Sequence, residues 1–410
     1  MKGTKIHSII SECPITNDRT QIKYFDLGNI PLVNNLCNTR EDSLNVDRFP
    51  LSINYYEKSG LSSLDFSVDS RLLFSHYLFK SEVNIPYYKH CQDMFIFAQN
   101  YVKVSDGFSI ADIGGNDGTL LDAFRSTSVC NLHLLNIDPS ENLAKLSVDR
   151  HIPVYTDFFS YDLAKKLDKK FDLVISTNVF QHLREINSFA KGVEYMLNDG
   201  GVWILEFPYW IHDMQTNQFD QIYHEHVYYY SVTPLVKLMN NNGLRVINVS
   251  KQVIHGGTLR LVMCKSSSKF EIDNSVNEYL EMEKDYQLEY HVEWGDKVHN
   301  HIRESREFIK KIKSEGKTIY GFGAAAKGCI YLNSMGVTHK EIDYIIDDTD
   351  IKQGKFIPGT GIQVVSRDIL NTKKPDYILI LAHNFADYII KSLEFDGKYI
   401  ILIPQIQIKD

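Results

Sequence analysis

The segment Asp112-Ile113-Gly114-Gly115-Asn116-Asp117-Gly118-Thr119-Leu120 joins an acid, a glycine turn and the start of a helix. Glycines there allow positive φ and a close backbone approach to a ligand. The pattern D-x-G-x-x-x-G departs from G-x-G-x-x-G, which cradles a pyrophosphate. An acid at the strand end is a poor neighbour for phosphate. It is a good one for the cationic amino-acid end of S-adenosylmethionine. Asp138 ends the next apolar run, Leu134-Leu135-Asn136-Ile137, where a carboxylate can accept both hydroxyls of a ribose. Thr156-Asp157-Phe158 could place a carboxylate near an adenine amino group, and Asn178 follows the third strand. The cofactor set is therefore Asp112, Gly114, Gly115, Gly118, Asp138, Asp157, Phe158 and Asn178. The competing reading is a generic α/β domain with acidic loops.

Two further segments carry groups for proton transfer. Asn178-Val179-Phe180-Gln181-His182-Leu183 follows the third strand of this region. Glu206-Phe207-Pro208 follows the fourth and leads to Phe219-Asp220-Gln221-Ile222-Tyr223-His224-Glu225-His226. Histidine titrates near neutrality, so it can take a proton and return it. The alternative for His224-Glu225-His226 is a metal site or a hydrogen-bonded core cluster. H-x-H falls short of the four ligands of structural zinc and lacks the H-E-x-x-H spacing of metalloproteases. His182 by itself reads as structural; its place at a strand end beside the cofactor turn favours a catalytic one.

The elements that must position these groups alternate. Phe108–Ile113, 131–137, 171–176 and 201–206 are apolar runs separated by helical stretches, which implies βαβ units and a parallel sheet with ligands at the strand ends. A second alternating region holds runs at 317–321, 342–346, 376–381 and 398–403. Between them, 277–313 is charged and nearly free of breakers, as in one or two amphipathic helices. Ahead of them, 22–27 and 50–56 read as short strands and 87–102 as a helix. The fold class is α/β in three parts: a small N-terminal module (1–75), a central Rossmann-like methyltransferase domain (76–265), and a C-terminal Rossmann-like α/β domain (314–410) reached through a helical connection (266–313).

The 410 residues leave room for two or three domains. Net charge is −8, from 44 basic and 52 acidic residues, which disfavours a nucleic-acid partner. No apolar run reaches a membrane span, and the N-terminus lacks the apolar stretch of a signal peptide. The six cysteines are scattered, with no C-x-x-C pair, as expected of reduced thiols in the cytoplasm.

Tyr223-His224-Glu225-His226, followed by Ile254-His255-Gly256-Gly257-Thr258-Leu259-Arg260, resembles the C-methyltransferases of unusual deoxysugars. Later segments are similar to that family's C-terminal domain. They are Tyr320-Gly321-Phe322-Gly323-Ala324-Ala325-Ala326-Lys327-Gly328, Leu332-Asn333, Ile346-Asp347-Asp348-Thr349, Lys352-Gln353-Gly354 and Ala382-His383-Asn384. The resemblance spans nearly the whole chain, in order. It implies a dTDP-, CDP-, GDP- or UDP-linked 4-keto-6-deoxysugar as substrate and methylation of a carbon through an enolate. His226 would be the base and Glu225 its orienting group, with Tyr223, His182 and Tyr77 around the enolate. His224, His255, Gly256, Arg260, Gly323, Lys327 and Asn333 would contact substrate, Lys327 as a cation for the diphosphate. An O- or N-methyltransferase and a non-catalytic relative are the alternatives.

Two departures stand out. The family's N-terminal zinc module has two C-x-x-C pairs; here the matching positions read Cys13-Pro14-Ile15-Thr16 and Tyr56-Glu57-Lys58-Ser59. One thiolate of four remains, so no zinc is expected. Aromatic packing of Phe49, Tyr55 and Phe66 is the expected substitute. In Tyr77-Leu78-Phe79, Phe79 stands where the family usually has a second tyrosine.

Overall fold

A computed structural model of the chain describes residues 7–69, 73, 85–252 and 256–410. Tyr77, Phe79 and His255 lie outside the described residues.

The runs read as strands pair into a seven-stranded sheet. Its order is Leu244–Gln252, Thr258–Lys265, Leu197–Pro208, Phe171–Thr177, Phe108–Ile113, Leu132–Ile137, Val154–Tyr155. The last five strands in that order are mutually parallel, and the first two join antiparallel. Helices cover both faces, which is why Ile110, Ala111, Val174, Ile175, Trp203 and Ile204 are apolar without alternation and all fully buried. Each of the isoleucine and valine side chains contributes roughly 1.5–3 kcal/mol on leaving water.

The C-terminal sheet has six strands in the order Gln363–Val365, Tyr344–Ile346, Ile319–Phe322, Tyr377–Ile380, Lys398–Ile401, Gln407–Lys409. All but the last are parallel. The charged connection forms two helices, Asn274–Met282 and Leu288–Ser314. The longer one buries Trp294, Val298, Ile302, Ile309 and Ile312, spaced by three, four or seven residues along one face.

The N-terminal strands Ile22–Pro31, Arg48–Tyr56 and Leu61–Leu64 make an antiparallel sheet. Its fourth strand, Tyr228–Tyr229, comes from just after the Tyr223–His226 segment. The module is thus tied by backbone pairing to the chain that carries the candidate base.

The degenerate zinc positions face each other across two turns, Cys13–Asn17 and Tyr56–Gly60. Cys13 Sγ donates to Ser59 Oγ at 3.2 Å, and Lys58 pairs with Asp18 at 3.2 Å. Tyr56 is fully buried, and its hydroxyl donates to Gln21. Among the described residues no three His, Cys, Asp or Glu side chains gather as metal ligands. The expected aromatic substitutes sit elsewhere. Tyr55 packs on His291 of the long helix, 4.5 Å between rings, and Phe49 and Phe66 stack beside His224. Consecutive strand residues point to opposite faces, so Tyr55 turns to the long helix where Tyr56 turns to Gln21. No helix among the described residues is long and apolar enough to cross a membrane.

Candidate active site

At the end of Phe108–Ile113 the chain turns through Gly114, at φ 77°, and enters the helix Thr119–Thr127. A side chain on Gly114 would run into Val179, and a Cβ on Gly115 would lie 2.6 Å from Asp112 Oδ2 and 2.5 Å from Asn136 Oδ1. Both glycines are required by space. Asp112 is 1% exposed, and neither carboxyl oxygen has a hydrogen-bond partner among the described residues. Burial, then the charges of Asp138 and Asp117, push its carboxyl up to about 8. A buried carboxyl without a partner is costly and invites a cation. Asp138, at the end of the next strand, accepts from Asn116 N–H at 2.9 Å and Ser140 N–H at 2.8 Å. Asp157 is exposed, and Phe158 half-buried beside it. These residues fit S-adenosylmethionine: a lone carboxylate for its ammonium, a side-chain-free turn, and an acid at the second strand end.

The loop that carries Val179 over Gly114 continues into the short 3-10 helix Phe180–His182. Asn178, at φ 54°, makes the bend, and its N–H donates to the Glu206 carbonyl at 2.9 Å. His182 Nδ1–H donates to the Glu225 carbonyl at 2.7 Å, and its ring lies 4.9 Å from that of His226. The His226 ring packs on Tyr223 at 4.0 Å. Its Nδ1–H donates to the Gln221 carbonyl at 2.8 Å, which leaves the Nε2 lone pair as the basic site. Burial, His182 and Lys327 hold His226 well below the usual imidazole range, and burial takes His182 to about 4. Both rings are neutral at physiological pH. Glu225 is buried too; burial raises its carboxyl to about 7, opposed by Asn34 of the N-terminal module, which donates to Oε1 at 2.6 Å.

Known proteins resemble the chain in sequence. The family described as methyltransferase domain matches residues 94–249, and that described as C-methyltransferase C-terminal domain matches 253–404. The C-methyltransferase NovU of Streptomyces niveus is 28% identical over 406 residues, covering 97% of this chain and 96% of its own. The chain is an S-adenosylmethionine-dependent methyltransferase similar to the C-methyltransferases. Similar solved structures include an S-adenosylmethionine-dependent methyltransferase from Clostridium acetobutylicum and a magnesium protoporphyrin IX methyltransferase from Synechocystis. The first is 12% identical, with a TM-score of 0.35, covering 43% of this chain and 92% of its own. The second is 15% identical, with a TM-score of 0.33, covering 44% and 78%.

In this methyltransferase several residues expected at the substrate have other work. Glu225 does not orient His226; the Gln221 carbonyl does, because adjacent residues in a turn send their side chains apart. His224 Nε2–H donates to the Pro50 carbonyl at 3.1 Å, and its ring faces Phe49, so it binds the module. Arg260 is 3% exposed and held by Glu206 at 2.7 Å, its cross-strand partner. An arginine in the middle of a buried sheet needs that carboxylate and is not available to a ligand. Asn333 donates to the carbonyls of Cys329 and Pro358, both at 2.9 Å, pinning a loop. Gly256 lies against the Asn384 amide, and Gly323 against Ala382. Lys327 Nζ is buried with no hydrogen-bond partner among the described residues, and its charge acts on Asp213, Asp220 and His226. It stands in the first turn of the helix Ala326–Met335 that follows Gly323.

Sequence reasoning missed His90, which contacts Glu206 at 2.8 Å, and Tyr87, whose hydroxyl is 3.2 Å from that of Thr177. Both stand on the helix Ile85–Ala98, whose apolar spacing gave the helix but not what its polar side chains meet. Asn34 was missed as well; only tertiary packing brings it to Glu225.

Proposed function

We propose that the enzyme methylates the carbon next to the ketone of a nucleotide-linked 4-keto-6-deoxysugar, with His226 as general base. The observation that carries this reading is the His226 ring. It is buried, neutral and fixed at Nδ1 by the Gln221 carbonyl, which leaves the basic lone pair on Nε2, and it packs on His182 of the loop that closes over the cofactor turn. Bound S-adenosylmethionine supplies an electrophilic methyl on a sulfonium. His226 Nε2 would take the α-proton; the electrons of the broken C–H bond, carried by the enolate carbon, would form the new C–C bond as the S–CH3 pair stays on sulfur and S-adenosylhomocysteine leaves. A base this weak cannot hold a free enolate, so the oxyanion must be stabilised where it forms. Tyr223 and the buried Lys327 ammonium lie beside the base and supply that stabilisation, while His182, its one N–H held by the Glu225 carbonyl, is left to accept from a sugar hydroxyl. Asp112 binds the cofactor's ammonium and Asp138 its ribose; the sugar reading is supported by the ordered motifs that run to the C-terminus.

The test is incubation with S-adenosylmethionine and a panel of nucleotide-linked 4-keto-6-deoxysugars in D2O, read by mass spectrometry and NMR. Gain of one methyl on carbon with label exchange at the α-carbon is expected. Methyl gain on oxygen or nitrogen would overturn the enolate route. His226→Ala should lose turnover by about 10²- to 10⁴-fold, the usual cost of removing a general base, with cofactor binding near wild type. Retention of more than a tenth of the activity would remove His226 from that role.

A further inference from the structure

Ala382-His383-Asn384 closes the strand Tyr377–Ile380 of the C-terminal sheet, far along the chain from the base. His383 nevertheless reaches the central domain. Its Nε2 lies 2.9 Å from Asp220 Oδ2, and the two side chains are 8% and 1% exposed. Asp220 belongs to the 3-10 helix Phe219–Gln221. The next residue, Gln221, supplies the carbonyl that holds His226 Nδ1–H. The same helix is gripped a second time, where Phe219 packs on Tyr331 with 5.0 Å between rings. We infer that His383 is a positioning residue for the base: through Asp220 it fixes the short helix whose Gln221 carbonyl sets the tautomer and ring plane of His226.

The chemistry of the contact supports this. His383 and the nearby Lys327 keep Asp220 ionised in spite of burial, so the contact is charge-assisted and strongly directional. A 3-10 helix of three residues has little internal hydrogen bonding to hold it, so its place depends on outside ties. A rotated Gln221 carbonyl would release Nδ1–H, and the proton could move to Nε2, where the ring is no longer a base. His383 also sits on the rim of an α/β sheet, the side on which ligands of such sheets bind. Occupancy of the C-terminal domain and readiness of the base are thereby connected through one side-chain hydrogen bond.

The inference rests on reading His226 as the base, but its test does not. Full-length protein labelled with 15N-histidine is examined by long-range 15N–1H NMR, the His226 signals being identified by their loss in His226→Ala. Wild type should show the neutral Nδ1–H form. His383→Leu, which fills the space without a donor, should shift His226 toward a mixture with the Nε2–H form. His383→Gln, which keeps a donor at similar reach, should restore the wild-type signals. Calorimetric titration with S-adenosylmethionine, unchanged in both variants, would show that the cofactor domain is intact. Should His383→Leu not fold, His383→Asn, too short to reach Asp220, takes its place. On a turned-over 4-keto sugar, kcat should fall by about tenfold or more with the KM for the cofactor unchanged. An unaltered His226 tautomer in the donor-less variants would overturn the inference even if His226→Ala is inactive. An active His226→Ala would instead overturn the assignment of the base.

Discussion

In the central sheet Gly114 N–H donates to the Ile137 carbonyl at 2.7 Å, Asn116 N–H to Asp138 Oδ2 at 2.9 Å and Ser140 N–H to Asp138 Oδ1 at 2.8 Å. In the C-terminal sheet Gly323 N–H donates to the Ile346 carbonyl at 2.8 Å. Ala324 N–H donates to Asp347 Oδ2 at 2.8 Å and Thr349 N–H to Asp347 Oδ1 at 2.9 Å. Both glycines have positive φ, 77° and 100°. A neighbouring strand ends over each, in Val179 and in Ala382. The difference lies two residues before each glycine. Asp112 stands there in the first turn, and in the second it is Gly321, where a side chain would run into Ile345. The second turn also has a cation of its own: Lys352 Nζ donates to the Ala324 carbonyl at 3.0 Å and lies 3.4 Å from Asp347. One backbone scaffold therefore serves ligands of opposite sign. Under the proposed function, a sulfonium amino acid would meet the lone carboxylate of the first turn, and a phosphate the lysine of the second.

The largest effect expected from this comparison is that of Asp112→Asn. It should weaken S-adenosylmethionine binding by about 10- to 150-fold, the equivalent of the roughly 1.5–3 kcal/mol of a charge-assisted hydrogen bond. Calorimetric titration measures it, and an unchanged affinity would erase the distinction between the turns. The same variant has an opposite signature without ligand. The Asp112 carboxyl is raised to about 8, so its contribution to stability is fully present below the unfolded value near 4 and is lost as pH rises toward 8. Melting temperatures of ligand-free wild type should fall relative to those of Asp112→Asn across that interval. Cofactor affinity of wild type should rise over the upper part of it, because the cation selects the ionised form.

Asp138→Ala and Asp347→Ala form a matched pair with a smaller effect. Each removes an acceptor for two turn amides, so each should cost roughly 1–3 kcal/mol of stability of its own sheet. Only Asp138→Ala should also weaken cofactor binding, by about tenfold for the hydrogen bonds it offers a ribose. Equal cofactor loss in both variants would mean that the C-terminal turn shares the cofactor site.

What could be read from the residues follows the same division. The strands around both turns were legible because long apolar runs with glycine punctuation have few other uses, and Phe108–Ile113 is placed to the residue. The antiparallel strands Leu244–Gln252 and Thr258–Lys265 were not, since their polar breaks mask pairing partners that lie far away in sequence. Asp112, the Gly114 turn and the Tyr223–His226 segment were legible as chemistry because unusual residue types cluster within a few positions. Arg260 was misjudged for the converse reason. A charged residue in a recognised motif suggests a ligand, and only the register that sets it opposite Glu206 shows the charge already matched. The Asp220–His383 contact joins residues 163 apart, a distance no local pattern reports.

The smallest effect should come from Lys352→Met. Its ammonium is a quarter exposed and tied to the Ala324 carbonyl and Asp347, so truncation should cost about 1 kcal/mol or less of stability, read by denaturant unfolding. Cofactor affinity should not move, because the lysine belongs to the second turn. The KM for a nucleotide-linked sugar is where the comparison sharpens. If the C-terminal turn receives the diphosphate, loss of Lys352 raises that KM severalfold while kcat stays level, as expected for uniform binding of a group remote from the reacting carbon. The buried Lys327, which acts on His226, Asp213 and Asp220, should behave differently: Lys327→Met should lower kcat more than it raises KM. A KM effect confined to Lys327→Met would move the diphosphate from the C-terminal turn to the interface above the base, and the scaffold shared by the two sheets would then hold a ligand at only one of them.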